Sequence, residues 1–314
     1  MRIPIIFAID RNVVVPCGVA LTSLFLNACE DTFYEVFILF EDARLPREDR
    51  KRLLNAFADE SHGQISFVDV GKDFSDIQIN GVFITAATYY RLLIPDLFPQ
   101  YDKVIYADID MIFQQDFSEV YRASLNHGEW IAASLDLAID GYRFNAPFPA
   151  KIGKTPDDYF NAGFLIMNLK EMREYHASEL FREHLDKKYD QNDQDILNIV
   201  CKDHTQFLPT RFNFQMNHFS NYMWKRKSTD LRFDQLFRTA TLHYTFKNKP
   251  WNSLDCVAYD TWWHYYKMSP FFDTRMYFNR QRDQIEAFRN DYHNRTNKQL
   301  FLRILANIKH KLFK

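Results

Sequence analysis

The hydrophobic pattern of the first seventy residues alternates between strands and helices. Residues 3–9 form an almost continuous apolar run, and residues 33–40 and 65–70 repeat that pattern, which is typical of strands buried on both faces. Residues 13–27 and 46–60 have the pattern of helices, with a proline near the first turn of each. Strands that alternate with helices predict an α/β fold with a mostly parallel central sheet of the doubly wound kind.

The alternation continues through the middle of the chain. The further predicted elements are a helix over residues 85–94 that Pro95 ends, a helix over 118–123, strands over 104–113, 130–135 and 159–168, helices over 169–188 and from Asp193 as N-cap to Val200, and a short strand from Thr241 that leads into a basic turn. Residues 136–158 contain three prolines and little periodicity, which predicts a mobile loop.

The strand predicted over residues 104–113 carries two carboxylates. Asp108 and Asp110 are two residues apart, so both point to the same face of an extended chain. Like charges side by side in an apolar run repel each other and lose hydration, which is tolerable mainly where a cation lies between them. Asp10 and Asn12 follow the first strand, and ligands of doubly wound sheets bind beyond the carboxyl ends of strands. These positions predict a site for a metal and a phosphate.

Two kinds of nucleotide site are disfavoured, and two single residues allow more than one interpretation. No Gly-rich loop follows the first strand, which argues against a Rossmann cofactor or a Walker nucleotide site. Arg91, on an otherwise apolar helix face, is either a solvated or capping arginine or one that points into the carboxylate pocket. His243 is either a buried structural histidine or part of a phosphate site, and Lys247 and Lys249 close after it favour the phosphate site.

Composition narrows the class of protein. A length of 314 residues suits two domains or one large α/β unit with appendages. The hydrophobic content of 46% supports a sizeable core, and the aromatic residues at 259–278 favour packing over a sugar-stacking surface. A net charge of −2 gives no sign of nucleic-acid binding. The four cysteines have no metal-binding spacing, and no signal peptide or transmembrane run is visible, so we expect a cytoplasmic protein.

The C-terminal tail differs from the rest of the chain in charge. Residues 292–314 contain six Lys or Arg and no acidic residue. The apolar residues of this tail recur at helical spacing: Phe301, Ile304, Leu305, Ile308 and Leu312. That pattern is typical of a basic amphipathic helix that lies on anionic lipid, and a helix docked on the protein itself is the alternative. We expect a peripheral protein at the inner face of the cell membrane.

Six motifs, taken together and in order, resemble those of glycosyltransferase family 8. They are Ala8-Ile-Asp10-Arg-Asn12, Tyr90-Arg91, Asp108-x-Asp110, Phe160-Asn161-Ala162-Gly163, Asp193-Gln194-Asp195, and His243-Tyr244 with Lys249-Pro-Trp251. The family includes bacterial lipopolysaccharide galactosyl- and glucosyltransferases and glycogenin. The resemblance implies a GT-A-type fold, a UDP-hexose donor, Mn2+ with Mg2+ as a substitute, and transfer with retention at the anomeric carbon. We expect a catalytic domain over residues 1–270 and a helical extension over 271–314.

The resemblance also implies a role for each motif residue. The metal ligands would be Asp108, Asp110 and His243. The nucleotide would meet Ala8, Asp10, Asn12, Asp108, Ile109 and Lys249, with Lys249 on the phosphates. The donor sugar would meet Arg91, Asn161, Ala162, Asp193 and Gln194, and the catalytic candidates are Asp193 and Gln194.

Two points stay open at the level of sequence. Retention needs either a carboxylate nucleophile, for which Asp193 is the candidate, or front-face substitution assisted by the leaving phosphate, which we favour. Gln194 offers only an amide oxygen, a poor nucleophile. The family commonly has glycine three residues after the metal histidine, where this chain has Phe246. Either the turn is displaced there or Lys247 and Lys249 hold the diphosphate.

The expected function is therefore that of a retaining hexosyltransferase that moves galactose or glucose from a UDP-sugar to a saccharide or glycolipid acceptor. The setting would be lipopolysaccharide or another cell-surface glycan. A glycan- or nucleotide-sugar-binding protein with a degenerate site is the alternative, and a metal-dependent phosphohydrolase is a further one. The sequence does not choose between galactose and glucose, and the acceptor pocket would come from variable segments such as 136–158 and 211–235.

Overall fold

The chain forms two compact units, Met1–Phe271 and Phe272–Lys314. The computed structural model describes residues 1–71, 85–137, 148–155, 157–216, 237–254, 256–287, 289–290 and 298. In the second unit, residues 274–287 form a helix. The assignment of the first unit as a catalytic domain stays a prediction.

The first unit is built on a large, mostly parallel sheet. Its strands are β1 (Arg2–Ala8), β2 (Phe33–Phe40), β3 (Gly63–Asp69), β4 (Lys103–Ala107), β5 (Met111–Ile112), β6 (Ile131–Leu135), β7 (Phe160–Asn168), β8 (Thr205–Leu208), β9 (Phe214–Gln215) and β10 (Leu242–His243). Seven of them form one sheet in the order β3-β2-β1-β4-β7-β6-β8. Within that sheet only β7 runs antiparallel to its neighbours, β4 and β6. The predicted α/β fold with a mostly parallel central sheet is confirmed.

Helices flank this sheet on both faces. They are α1 (Val14–Leu26), α2 (Arg47–Ala56), α3 (Ile94–Leu97), α4 (Ser118–Ala123), α5 (Phe148–Lys151), α6 (Leu169–Glu174), α7 (Ala177–Arg182), α8 (Asp193–Val200) and α9 (Tyr259–Met268), with 3-10 helices at Arg11–Val13, Ala86–Leu93 and Thr210–Phe212. Ile5 and Phe7 of β1 pack into one core with α1, and Ile6 packs into the other with the 3-10 helix Ala86–Leu93. Burial on both faces explains why β1 is apolar throughout.

Two predicted helices are different in the structure. The helix predicted over 169–188 is broken into α6 and α7, because His176 between them has a positive φ of 54°, which an α-helix does not accommodate. The segment predicted to end at Pro95 is a 3-10 helix, and Pro95 lies in the first turn of α3. A proline is tolerated there because its missing N–H would have no partner within the helix.

The strand predicted over residues 104–113 is also divided. β4 ends at Ala107, and β5 belongs to a separate three-stranded sheet of order β5-β10-β9. Asp108 and Asp110 therefore lie on the connection between two sheets and not within one strand. The small sheet includes residues 214–215, part of a segment expected to be an acceptor loop.

The aromatic residues of α9 are packing residues. Trp262, Trp263 and Tyr266 are buried, and the rings of Trp262 and Tyr266 stack with centroids 5.3 Å apart. In the part of the chain that the structure describes, no helix is long and apolar enough to cross a membrane. The tail at 292–314, apart from Lys298, lies outside the described residues. So do residues 138–147 and 156 of the loop predicted at 136–158, whereas Phe148–Lys151 of that segment form α5.

Candidate functional site

Because β7 runs antiparallel to β4, the amino end of β7 and the carboxyl end of β4 lie on the same side of the sheet. Ala107, the last residue of β4, pairs with Phe164 of β7, so the carboxyl end of β4 lies beside the amino end of β7. The Asp108 N–H donates to the Gly163 carbonyl at 2.8 Å. The two aspartates after β4 and the residues at the start of β7 therefore face the same space.

The third member of the site comes from the small sheet. His243 pairs with Met111 in the antiparallel contact between β10 and β5, which places its ring beside the aspartates. One ligand atom from each of Asp108, Asp110 and His243 lies within 4.8 Å of the others. His243 Nε2 is 3.2 Å from Asp110 Oδ1 and 3.7 Å from Asp108 Oδ2.

This cluster fits a divalent metal ion. The buried Oδ1 of Asp110 accepts no hydrogen bond from the residues that the structure describes, although a buried oxygen without a partner is costly. Two carboxylates and one imidazole suit Mn2+, which accepts nitrogen ligands more readily than Mg2+ does. The structure therefore brings together the three residues predicted as metal ligands in a site that could hold such an ion.

Two cations of the chain already pair with the aspartates. Arg91 Nη2 lies 3.0 Å from Asp108 Oδ1, and Lys249 Nζ donates to Asp110 Oδ2. Burial alone would raise the pKa of Asp110, but the charge of the Lys249 ammonium opposes it, and that pKa lies below its ordinary value. The paired aspartates thus do not need a bound ion to be tolerated, which corrects the argument made from their spacing alone.

Arg91 is a buried residue of the site, so the interpretation as a solvated arginine is wrong. Its side chain is 5% exposed, and it donates to the Ala162 carbonyl. Its guanidinium lies 4.3 Å from the centre of the Tyr106 ring. The Tyr106 hydroxyl donates to Asp108 Oδ1 at 2.8 Å. Sequence reasoning missed Tyr106 because it sits inside an apolar strand, two residues before Asp108.

Asp193 lies at the start of α8, on the other side of Arg91. Thr88 Oγ1 donates to its Oδ1 at 2.7 Å, and Arg91 Nε is 2.9 Å from its Oδ2. Burial raises the pKa of Asp193 to about 6, although the nearby Arg91 charge lowers it. The N-cap of α8 is Asn192 and not Asp193 as predicted, because Asp193 already has helical conformation.

Gln194 is held by hydrogen bonds at both ends of its amide. Its Oε1 accepts from the Ala162 N–H at 3.0 Å. Its Nε2 donates to Asp136 Oδ2 at 2.9 Å and to the Tyr159 hydroxyl at 3.1 Å. The amide oxygen that would have to act as a nucleophile is therefore engaged by the backbone.

Gly163 lies against the ring of His243, and Asn161 is hydrogen-bonded next to it. Asn161 Nδ2 donates to Asp136 Oδ2 at 3.0 Å. A Cβ added at Gly163 would lie 2.3 Å from His243 Cε1 and 2.8 Å from His243 Nδ1. Glycine is required at this position because the imidazole ring occupies the space of a side chain.

Comparison with known proteins identifies the family. The model of Glycosyl transferase family 8 matches residues 4–255. The chain belongs to glycosyltransferase family 8. That family consists of glycosyltransferases.

Individual relatives agree with this family 8 assignment. A glycosyltransferase-like protein of Haemophilus influenzae is 28% identical over 217 residues, which are 67% of this chain and 62% of that protein. The lipopolysaccharide 1,3-galactosyltransferase of Salmonella typhimurium is 27% identical over 275 residues, which are 85% of this chain and 76% of that enzyme. The chain thus spans less than two thirds of the Haemophilus protein.

A solved structure shares the GT-A fold. The galactosyltransferase LgtC, crystallised with donor and acceptor sugar analogs, is 26% identical with a TM-score of 0.71. The match covers 87% of this chain and 98% of that one.

The remaining family 8 positions lie at the end of β1, between β4 and β5, and after β10. Ala8 is the last residue of β1. Asp10 Oδ1 accepts from the Asn12 N–H at 2.8 Å and caps the 3-10 helix that follows. Ile109, between the two aspartates, and Lys249 are half-buried. Asp10, Asn12 and Ile109 follow the carboxyl ends of β1 and β4, where nucleotides bind in such sheets. The roles of all five residues stay predictions.

Phe246 occupies the position where family 8 commonly has glycine. Its φ is +62° and its side chain is 57% exposed. A positive φ is the conformation that glycine adopts without a steric penalty. The turn after His243 therefore keeps a glycine-like backbone with a phenylalanine in it.

Proposed function

We propose that this chain is a retaining, Mn2+-dependent transferase that moves galactose or glucose from a UDP-sugar to a saccharide acceptor of a cell-surface glycan. The observation that carries the proposal is the cluster of Asp108, Asp110 and His243, with the unpartnered Oδ1 of Asp110 inside it. The relationship to a lipopolysaccharide galactosyltransferase supports a hexose donor and a glycan acceptor.

The metal and the diphosphate would bind next to each other in this site. Asp108, Asp110 and His243 would hold the ion, and a bound Mn2+ would stabilise the negative charge that develops on the leaving UDP. Lys249 would donate from its ammonium to the phosphate oxygens, since it already reaches Asp110 in the same site. Ala8, Asp10, Asn12 and Ile109 would contact the uridine (a set named from the family resemblance).

The donor sugar would lie between β7 and α8. Arg91, Asn161 and Ala162 would face it with Asp193 and Gln194. Asp193 Oδ2 accepts no hydrogen bond from the described residues, so it can accept one from a sugar hydroxyl. The bonded state of Gln194 supports the front-face route, in which the departing phosphate oxygen takes the proton of the acceptor hydroxyl as the glycosidic bond forms.

We also propose peripheral attachment to the membrane through residues 292–314. The support is the composition of the tail, with six basic and no acidic residues, which favours anionic lipid.

The enzymatic proposal is tested by measuring UDP release from a panel of UDP-sugars, with and without Mn2+. We expect turnover of UDP-galactose or UDP-glucose only with the metal. Asp110→Asn should lower turnover at least about a hundredfold by removing one metal ligand. Asp102→Asn, at the exposed opposite end of β4, is the matched control and should retain activity.

Three results would refute parts of this proposal. Full activity of Asp110→Asn would refute the metal site. Metal-independent UDP binding without turnover would instead indicate a binding protein with a degenerate site. Release of inorganic phosphate from a phosphomonoester would indicate a phosphohydrolase.

A further inference from the structure

Two buried amide side chains, those of Asn213 and Asn161, form a line of hydrogen bonds from the candidate metal ligand His243 to Asp136. Asn213, which lies just before β9, is completely buried. Its Oδ1 is 2.9 Å from His243 Nδ1, and its Nδ2 donates to Asn161 Oδ1 at 2.8 Å. Asn161 Nδ2 in turn donates to Asp136 Oδ2. No role for Asn213 follows from the sequence motifs.

The donor and acceptor roles along this line of hydrogen bonds are fixed at Asn161, the end away from His243. The Gly163 N–H can only donate, and it lies 3.0 Å from Asn161 Oδ1. The Asp136 carboxylate oxygen accepts from the other end of the same amide and from Gln194 Nε2. These two contacts leave one orientation for the Asn161 side chain, with oxygen towards Asn213 and nitrogen towards Asp136.

The orientation then propagates to the histidine. Because Asn161 presents an oxygen, Asn213 must present its NH2 group to it, and the Asn213 oxygen is left for His243. An amide oxygen accepts but cannot donate, so a neutral imidazole at this position must carry its one proton on Nδ1. The lone pair of Nε2 then faces Asp110 Oδ1 and Asp108 Oδ2, at 3.2 Å and 3.7 Å.

We propose that Asn213 is a positioning residue that fixes the Nδ1–H tautomer of His243, so that Nε2 is preformed as a metal ligand, with Asp136 and Asn161 setting its direction. Three acceptor atoms then face one another without a proton between them, an arrangement that a cation relieves. Hydrogen bonds to the second nitrogen of a metal-binding histidine select its tautomer and orient its ring. The inference rests on the proposed function only in taking Nε2 as a metal ligand.

The tautomer can be measured without metal. Protein labelled with 15N in its histidine rings is studied by long-range 1H–15N correlation NMR in metal-free buffer at pH 8, and His243→Gln identifies the signal among the ten histidines. We expect the Nδ1–H pattern in the wild type and its loss in Asn213→Leu. Asp136→Asn should weaken the preference, because it changes the carboxylate that accepts from Asn161. Any other protonation pattern in the wild type overturns the proposal.

Binding of Mn2+ alone gives the second readout. Asn213→Leu should bind Mn2+ about 10- to 100-fold more weakly than the wild type, as for other outer-shell partners of metal ligands. Asn27→Leu is the control, because Asn27 makes three hydrogen bonds away from the site, and it should keep the wild-type affinity. Unchanged tautomer and affinity in Asn213→Leu would refute the role. Wild-type protein with the Nδ1–H tautomer but no Mn2+ binding would refute the metal-dependent function and leave the tautomer assignment standing.

Discussion

Lys249 and Arg91 each pair with one aspartate of the site, Lys249 with Asp110 and Arg91 with Asp108. The Lys249 ammonium and a metal ion would therefore compete for the Asp110 carboxylate. A diphosphate offers the ammonium a new partner and frees the carboxylate for the ion. Metal and UDP should consequently bind with positive cooperativity, each favouring the other.

Lys249→Met tests this exchange. Without the ammonium, we expect Mn2+ alone to bind about tenfold more tightly, since one resident ion pair no longer has to be broken. UDP should bind about tenfold more weakly in the presence of Mn2+, because a charge-assisted hydrogen bond to phosphate is lost. Isothermal titration calorimetry measures both affinities. Lys170→Met, at an exposed position of α6 beyond the carboxyl end of β7, is the control, and a loss of Mn2+ affinity in Lys249→Met would contradict the exchange.

Asp193 gives a prediction for stability against pH. Its pKa is raised from the ordinary 3.8 to about 6 by burial, so the folded protein holds this proton more tightly than the unfolded chain. The protonated Asp193 therefore contributes fully to the free energy of unfolding below about pH 4. This contribution, on the order of 2 to 3 kcal/mol, is lost as the pH rises through about 6. Asp193→Asn cannot titrate and should lack this loss.

Urea denaturation at a series of pH values between 4 and 7 measures the effect. The free energy of unfolding of the wild type should fall relative to that of Asp193→Asn across this range. A constant difference between the two proteins would show that Asp193 does not titrate there.

Some residues of the site can be recognised from the sequence and others cannot. Asp108, Asp110 and His243 stand out because charged or titratable groups interrupt apolar runs of the sequence and match family motifs. Tyr106 and Asn213 do not stand out, since a tyrosine in a strand and a single asparagine near a short turn are both common. Their partners lie far along the chain, and only the fold brings the Asn213 amide to the imidazole.

At the scale of elements, the turn after β10 carries a steric cost at Phe246. Residues with a Cβ pay about 1 kcal/mol or more in the left-handed region, and glycine does not. We expect Phe246→Gly to be more stable than Phe246→Ala by about 1 kcal/mol. Both variants remove the ring, so their comparison isolates the backbone cost. Thermal or urea unfolding measures it, and equal stabilities would indicate that the turn relaxes to a negative φ.

Short elements account for most differences between the predicted and observed secondary structure. The helix predicted over 169–188 has continuous helical periodicity, yet it divides where His176 adopts a positive φ. The short strand predicted from Thr241 does contain β10. The two-residue strand β9 is too short to give a periodic signal, and the predicted strand over 104–113 gives no sign that β5 belongs to a second sheet. Tertiary pairing defines such elements, so local sequence patterns cannot find them.

At the scale of the whole molecule, the central sheet was predictable because α/β alternation dominates the first unit. The reversal of β7 was not, since strands buried on both faces have the same apolar pattern in either direction. That reversal carries Asn161 and Gly163 to the edge where β4 ends. The predicted residues therefore converge through a feature of topology that their own spacing does not encode.

The basic tail allows a test on the whole chain. A chain ending at Asp291 should lose binding to vesicles that contain anionic lipid, because each basic residue near such a surface contributes about 1 kcal/mol. Its turnover of soluble acceptors should match that of the full chain. Vesicle sedimentation measures binding, with neutral vesicles as the control. Equal sedimentation of the two proteins with anionic vesicles would refute membrane attachment through this tail.

The pairing of β5 with β10 has a consequence for synthesis on the ribosome. Asp108 and Asp110 emerge early, whereas His243 arrives only with β10, the last strand of the small sheet. Until then β5 lacks the strand with which it pairs, and the chain contains only two of the three candidate ligands. A nascent or prematurely terminated chain that ends before β10 cannot assemble the cluster. Completion of the site is thereby tied to completion of the first unit.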